Sequence, residues 1–512
     1  MIDETPAERL RLACVEGAER LTDALAAAGF RESSGRVRTW VGLIPLGSAT
    51  DGEPVGCTAV ELWIPEDFPF QRPRVTPLAR EAAEAWARRP LPGYHEPTGT
   101  WHLEPNGQMC LYEPADYGTL PWADPPALLE HTAAWLEADR AGWPDDPPAL
   151  DLDRYFTPSL KVFLFDLQQL RQRVGQVISL SRRGRTIYAG NPVLPPKGRK
   201  KRPAVRKRDE ALVLDLGTLD LPPRDLDEVQ EVAGDGGELL ARELRRGIGE
   251  VVLLYDRGGE QGVLALTRTG GASHEIKAHQ CAPCDVEALM LRAHPQRRQL
   301  ASKRVAIVGV GAIGSVVADL LHRSGVGHLH LIDADRVLPA NLVRHLCGWD
   351  QVGEPKVDAV AATLRHARPA STTTVTGEFD ELRGPLAALE LLQAHDVVVD
   401  ATADTAATRL LREATNAGAG RAVSVAVLAD GYAVRVDRWP TPPSGGLSTA
   451  DLPPLSPGVY ETGCSTPISR TPPAAVWEAA ALAARHVVDL LLDGPPSAGE
   501  ERVLRLPPDP SP

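Results

Sequence analysis

Six residues, Gly309-Val310-Gly311-Ala312-Ile313-Gly314, constrain this chain more than any other feature, because they join an apolar strand (RVAIVGV) to a helix (AIGSVVADLLHRS). In that setting the glycines permit a tight turn and close approach of backbone to phosphate. The helix N-terminus adds unpaired N–H donors and a positive dipole end. Beyond Gly325 the pattern continues with a strand (HLHLID), a helix (VDAVAATLRHA) and later strands at DVVVDAT and AVSVAVL. Strands alternating with helices predict a doubly wound, mainly parallel sheet. Asp333 stands nineteen residues after Gly314, at the end of the second strand, where a carboxylate can accept hydrogen bonds from ribose hydroxyls. The glycine motif alone suits NAD as well as ATP.

Residues beyond the motif separate the two. The stretch LIDADRVLPANLVRHLCGWDQVGEPKVDA, with DVVVDATAD further on, closely resembles the ThiF/MoeB and ubiquitin-activating family of adenylating enzymes. The shared pattern is Asp-x-Asp after the second strand, Asn-Leu-x-Arg, Gly-x-x-Lys, and an Asp closing a later strand. The resemblance implies that Asp333 holds the ribose, Asn341 positions phosphate, Arg344 and Lys356 neutralise the triphosphate of ATP, and Asp400 binds Mg²⁺. Asp335 and Asp404 are secondary candidates. An arginine preceding the glycine loop reaches phosphate in the family, often from a partner subunit, which points to Arg297 or Arg298. A homodimer through this domain is implied in the same way. The residue types suit the chemistry, since attack of a carboxylate on the α-phosphate gathers negative charge that cations and a metal must offset.

A chain of 512 residues exceeds one ordinary core. The expected architecture is multidomain α/β. Residues 1–150 are expected to form an α+β domain: a helix capped at Thr5-Pro6 and stopping at Gly29, strands at RTWVGLIPL, CTAVELWIP and RVTPL with a turn at Asp51-Gly52, and a helix near Ala127–Ala138. Residues 151–295 read as a linker domain of mixed type, with a helix over Leu160–Leu180 and strands at ALVLDL, EVVLLYD and GVLALTR. Residues 296–512 form the doubly wound, Rossmann-like domain. It includes a loop over 439–473 carrying nine prolines, and a helix after it that stops at Gly494.

Net charge of −13 argues against general nucleic-acid binding, despite eight Lys or Arg between Asn191 and Arg208, which read as a solvated linker. No apolar run is long enough to span a membrane and the N-terminus lacks a signal core, so a cytoplasmic location is expected. Seven scattered cysteines then read as reduced thiols. Cys281-Ala282-Pro283-Cys284 has no second pair to complete a zinc site, although His279 and Cys347 are conceivable ligands.

Two thiols stand apart. Cys464, in YETGCSTPISR within the proline-rich loop, resembles the catalytic cysteine carried on the crossover loop of thioester-forming family members. WIPEDFPFQRPRVTPL followed by WHLEPNGQMCLYEP resembles the ubiquitin-conjugating fold, whose active cysteine follows an Asn-Gly-x-Ile-Cys-Leu turn, here Asn106 to Leu111 with Cys110. The family's His-Pro-Asn is absent, and His102 stands in place of its oxyanion-supporting asparagine. The two resemblances in this order are similar to bacterial anti-phage fusions of the CBASS type. They imply adenylation of a protein C-terminal carboxylate, attack by Cys464, transfer to Cys110, and aminolysis by a target amine. The activated protein would be a cGAS/DncV-like nucleotidyltransferase, or alternatively a ubiquitin-like or sulfur-carrier protein. An NAD-dependent oxidoreductase and a non-catalytic binding module are the rival classes.

Overall fold

The computed structural model describes residues 5–47, 55–97, 100–144, 149–190, 209–268, 275–368, 371–448, 451–453 and 470–504. The Asp51-Gly52 turn, the basic stretch 191–208 and Cys464 lie outside them. Contacts divide the chain into two compact units, the first ending at Ala282 and the second beginning at Pro283.

The first unit opens with α1 (Pro6–Ala27), where Thr5 and Glu8 form a reciprocal capping box and Pro6 occupies the first turn. The chain leaves it through Gly29 at φ +84°, a conformation that costs other residues strain. Strands β1 (Arg31–Glu32), β2 (Thr39–Leu46), β3 (Gly56–Trp63) and β4 (Arg74–Pro77) form an antiparallel meander in that order. Helices α2 (Arg80–Ala87) and α3 (Pro125–Arg140) follow. Leu21 and Leu25 of α1, Ile44, Val60 and Leu62 of the sheet, and Leu128 and Leu136 of α3 close one apolar core around Trp122. Gly42 is obligatory here, because a Cβ would sit 2.3 Å from the Phe30 ring.

The rest of this unit is a closed barrel. Its elements are β5 (Thr157–Phe165), α4 (Leu167–Arg171), β6 (Val177–Arg183), β7 (Thr186–Ala189), β8 (Glu210–Thr218), α5 (Leu226–Val232), α6 (Asp235–Arg246), β9 (Glu250–Arg257), β10 (Glu260–Arg268) and β11 (Ile276–Pro283). The strands close in the order β10-β11-β5-β7-β6-β8-β9. Leu212, Leu214, Val251 and Leu253 pack with Val229 and Leu240 of the helices, whereas Ala211, Val213, Val252 and Leu254 pack with Phe163, Leu180 and Ile187 of other strands. That is the period of two expected where both faces of a strand are covered. The helix expected over Leu160–Leu180 is not there. The run VFLF ends β5, Asp166 caps only the five-residue α4, and Gly175 at φ +76° turns the chain into β6.

In the second unit the elements are α7 (Val286–Met290), α8 (Arg297–Leu300), β12 (Arg304–Val308), α9 (Ala312–Ser324), β13 (His328–Ile332), α10 (Lys356–Ala367), β14 (Thr374–Glu378), α11 (Pro385–Ala394), β15 (Val397–Asp400), α12 (Thr405–Asn416), β16 (Ala422–Leu428), β17 (Ala433–Trp439), α13 (Pro473–Leu491) and β18 (Gly499–Val503). The sheet runs β14-β13-β12-β15-β16-β17-β18, parallel through β16 and antiparallel at β17 and β18. Val305 and Ile307 face a core completed by α9, α10 and α13, while Ala306 and Val308 face α11 and α12. Helices on both faces explain why these strands read as unbroken apolar runs. No helix among the described residues is long and apolar enough to cross a membrane.

Candidate nucleotide site and cysteine centre

β12 lies at the point where the strand order reverses, with β13 on one side and β15 on the other. Val308 is in register with Ile332 and with Asp400, so the loop after β12, Asp333 and Asp400 emerge together at the carboxyl edge of the sheet. Crevices at such switch points are where open α/β sheets bind ligands.

The three glycines do different work. A Cβ on Gly314 would meet the carbonyl oxygen of Gly309 at 1.9 Å, and one on Gly309, itself at φ +81°, would meet the Thr402 backbone at 2.8 Å. Both are needed for the loop to close against the helix and β15. Gly311 caps α9, and a Cβ there would meet nothing within 4 Å. The open side of Gly311 leaves a cradle at a helix N-terminus, where backbone N–H groups can receive a phosphate.

Asp333 accepts hydrogen bonds from the amides of Val310 (2.8 Å) and Asp335 (2.8 Å). Burial raises its pKa, against the pull of Lys356. Lys356 is the first residue of α10, where the helix dipole disfavours a cation, and it is held by Asp335 at 2.6 Å. Asn341 spends its side-chain oxygen on the amide of Leu338 (2.9 Å), shaping a short turn, and Arg344 donates to the carbonyl of Thr471 at 3.4 Å. Arg297 and Arg298 both pair with Glu287, at 2.6 and 3.4 Å.

Asp400 is buried and receives four hydrogen bonds: from the hydroxyl (2.7 Å) and amide (3.1 Å) of Thr402, from Thr408 (2.6 Å) and from Ser424 (2.9 Å). Its lone pairs are fully engaged, which suits a structural carboxylate better than a metal ligand. Asp404 is exposed; its Oδ1 caps α12 through the Ala406 amide (2.9 Å), and among the described residues its Oδ2 takes no hydrogen bond. Among the described residues no cluster of three His, Cys, Asp or Glu could hold a cation alone. A magnesium ion that travels with nucleotide phosphates needs only one or two protein carboxylates.

One contributor has no motif to mark it in the sequence. His345 is buried behind the glycine loop, its Nε2–H donating to the Val310 carbonyl (2.8 Å) while Nδ1 accepts the Cys347 amide (3.2 Å). Burial depresses its pKa, which keeps this neutral tautomer. Its position next to Arg344 is the only sequence signal.

The ThiF family description matches residues 287–497. Those residues form a ThiF-family domain. Ubiquitin-like modifier-activating enzyme 5 of Culex quinquefasciatus is 36% identical over 144 residues, covering 28% of this chain and 30% of that protein. The Bombyx mori protein of the same name is 49% identical over 74 residues, 14% of this chain and 19% of its own. The chain therefore spans less than a third of the length of these curated relatives. Among solved structures, E. coli MccB with ATP superposes with a TM-score of 0.31 at 21% identity, over 38% of this chain and 57% of that one. The switch-point crevice lies inside the ThiF-family domain.

The second cluster lies in the first unit. Leu103 bridges to Met109 across a turn in which Gly107 has φ +81°, and the Cys110 amide donates to the His102 carbonyl at 2.9 Å. The thiol points into a cleft of about 1100 Å³ whose lining includes Glu104, Tyr112, Trp143 and Arg154. Burial pushes its pKa to about 11, with Arg154 pulling down and Glu104 pushing up. The His102 ring stacks on Trp143 with centroids 3.6 Å apart. Arg154, in the turn after residue 150, likewise carries no signal in the sequence.

Two other thiols are raised by burial in the same way. Burial holds Cys347 at about 11 and Cys281 at about 12, and Cys281 donates to the His279 carbonyl at 3.5 Å. His279 itself is bound between Ser159 (2.5 Å) and Glu250 (3.0 Å) inside the barrel.

Proposed function

We propose that the chain activates the C-terminal carboxylate of a protein with ATP and carries it as a thioester, first on Cys464 and then on Cys110, before transfer to an amine. The observation that carries the reading is the open Gly311 cradle, flanked by Asp333 and Lys356, at the switch point of a ThiF-family domain. In this reading Asp333 takes the ribose hydroxyls on the lone pairs left by its two amide bonds. Lys356 and Arg344 face the triphosphate, Asn341 fixes the turn that presents Arg344, and Gly309, Gly311 and Gly314 admit the phosphates.

Mg²⁺ would supply further charge on the phosphates. Asp404 is the better-placed carboxylate for it, with Asp400 anchoring the loop between them. The carboxylate of the protein substrate attacks the α-phosphorus, pyrophosphate leaves, and a thiolate then displaces AMP. Placing both cysteines in one chain raises the effective concentration of each toward the other.

The names of the insect relatives favour a ubiquitin-like protein as substrate. A cGAS/DncV-like nucleotidyltransferase in a CBASS-type anti-phage operon is the other substrate class, suggested by the order of the two modules. The test is a non-reducing gel after Mg·ATP with each class of substrate, with Cys110→Ala and Cys464→Ala. Reductant-sensitive adducts that need ATP and accumulate when Cys110 is removed are expected. ATP binding without any adduct would sink the relay and leave an adenylating role, and binding of NAD in place of ATP would sink both.

A further inference from the structure

Two opposite charges face the Cys110 sulfur: Glu104 Oε1 at 3.5 Å and Arg154 Nη1 at 3.8 Å. Arg154 is tightly held. It pairs with Asp151 at 3.2 Å, donates to the Tyr155 hydroxyl at 2.8 Å, and donates to the Trp101 carbonyl. Tyr155 and Trp101 belong to the barrel's core, where Trp101 stacks on Tyr255 with centroids 6.3 Å apart. The guanidinium is thus fixed from the barrel side, and its Nε finds no acceptor among the described residues.

We infer that Arg154 is a catalytic residue of the Cys110 centre, stabilising the anion that forms there, with Glu104 as the proton acceptor. The inference rests on the reading of Cys110 as a thioester carrier. Glu104 takes the thiol proton as sulfur attacks the carbonyl carbon of the incoming thioester, forming a new C–S bond. The carbonyl electron pair moves onto oxygen, and the guanidinium N–H groups pair with that oxyanion. Collapse restores the carbonyl and breaks the old C–S bond. The departing thiolate recovers the proton from Glu104. Arg154 fills the need that an asparagine meets in the proteins Cys110 resembles, while His102 is committed to its stack with Trp143.

The test reads the sulfur directly in the full chain. Alkylation of Cys110 by iodoacetamide is followed by mass spectrometry from neutral to alkaline pH, beside single-turnover thioester transfer. Arg154→Gln is expected to slow both by about tenfold, because the thiolate and the oxyanion each lose their cation. Glu104→Gln is expected to speed alkylation yet slow transfer. That split is one a packing role does not produce. Arg154→Lys retains the charge but not the forked guanidinium, so alkylation stays within about threefold of the parent while transfer falls by about tenfold; if Arg154→Gln fails to fold, unchanged transfer in Arg154→Lys overturns the role instead. Unchanged alkylation and transfer in Arg154→Gln, or the same direction of alkylation change in both charge-removing variants, overturns the role of Arg154. Absence of any ATP-dependent thioester on Cys110 in the parent chain overturns the underlying reading instead.

Discussion

The ammonium of Lys356 lies 2.6 Å from Asp335 and 3.9 Å from Asp333, so one cation joins both carboxylates of the Asp-x-Asp pair. Asp335 is largely exposed while the Lys356 side chain is mostly buried, so the carboxylate is the partner that can swing away into solvent. Lys356 is therefore available to exchange that partner for a phosphate. Lys356→Ala should reduce ATP-dependent pyrophosphate exchange by about 10²-fold per folded molecule, and should lower stability by about 3 kcal/mol because buried Asp333 loses its cation. A loss of exchange that only follows a loss of folded protein would refute this.

Asp400 and Asp404 should separate cleanly. Asp400→Asn puts an amide donor against groups that already donate, in a buried site, and should cost about 2–4 kcal/mol in urea unfolding. Asp404→Asn should leave stability within about 0.5 kcal/mol and raise the Mg²⁺ concentration needed for pyrophosphate exchange. Equal stability losses in the two variants would contradict the assignment of structural and metal-facing roles.

The glycine loop offers a similar contrast. Gly314→Ala forces a Cβ into the Gly309 carbonyl and should disrupt folding of the second unit. Gly311→Ala fills only open space, so circular dichroism and thermal melting should match the parent while nucleotide protection in a thermal-shift assay disappears. Undiminished ATP protection in Gly311→Ala would mean phosphate does not sit there.

His322 predicts the pH dependence of the second unit. Burial and the adjacent Arg368, whose Nε donates to its Nδ1 at 2.8 Å, lower its pKa to about 4. The unfolded imidazole titrates near about 6.5. Between these values the unfolded chain binds the proton more tightly, so stability is full above about pH 6.5 and declines as pH falls toward 4. Urea unfolding should register a loss of about 2 kcal/mol by about pH 5 from this residue. His322→Gln should remove that part of the slope, and identical slopes would show that His322 is not its source.

Legibility in the sequence followed the range of the interactions. α9 was readable to the residue because Gly311 and Gly325 punctuate it, and β12, β13, β15 and β16 because a sheet covered on both faces demands apolar runs. The barrel was not readable as a barrel. Its closure depends on pairs distant in sequence, such as β5 with β7 and β8 with β9. The stretch Leu160–Leu180 carries apolar residues that satisfy a helical period as well as two strands, and only Gly175 argues against the helix. The full engagement of Asp400 depends on Thr408 and Ser424, which nothing in the local sequence ties to it. Arg154 is separated from Cys110 by 44 positions, and no motif connects them.

That last contact has a consequence for inheritance. The thiol and its counter-charge lie in one compact unit but beside different sheets, the N-terminal meander and the barrel, which meet at a tryptophan and two tyrosines. A recombination event that moved only the N-terminal module to another gene would deliver a cysteine stripped of its cation.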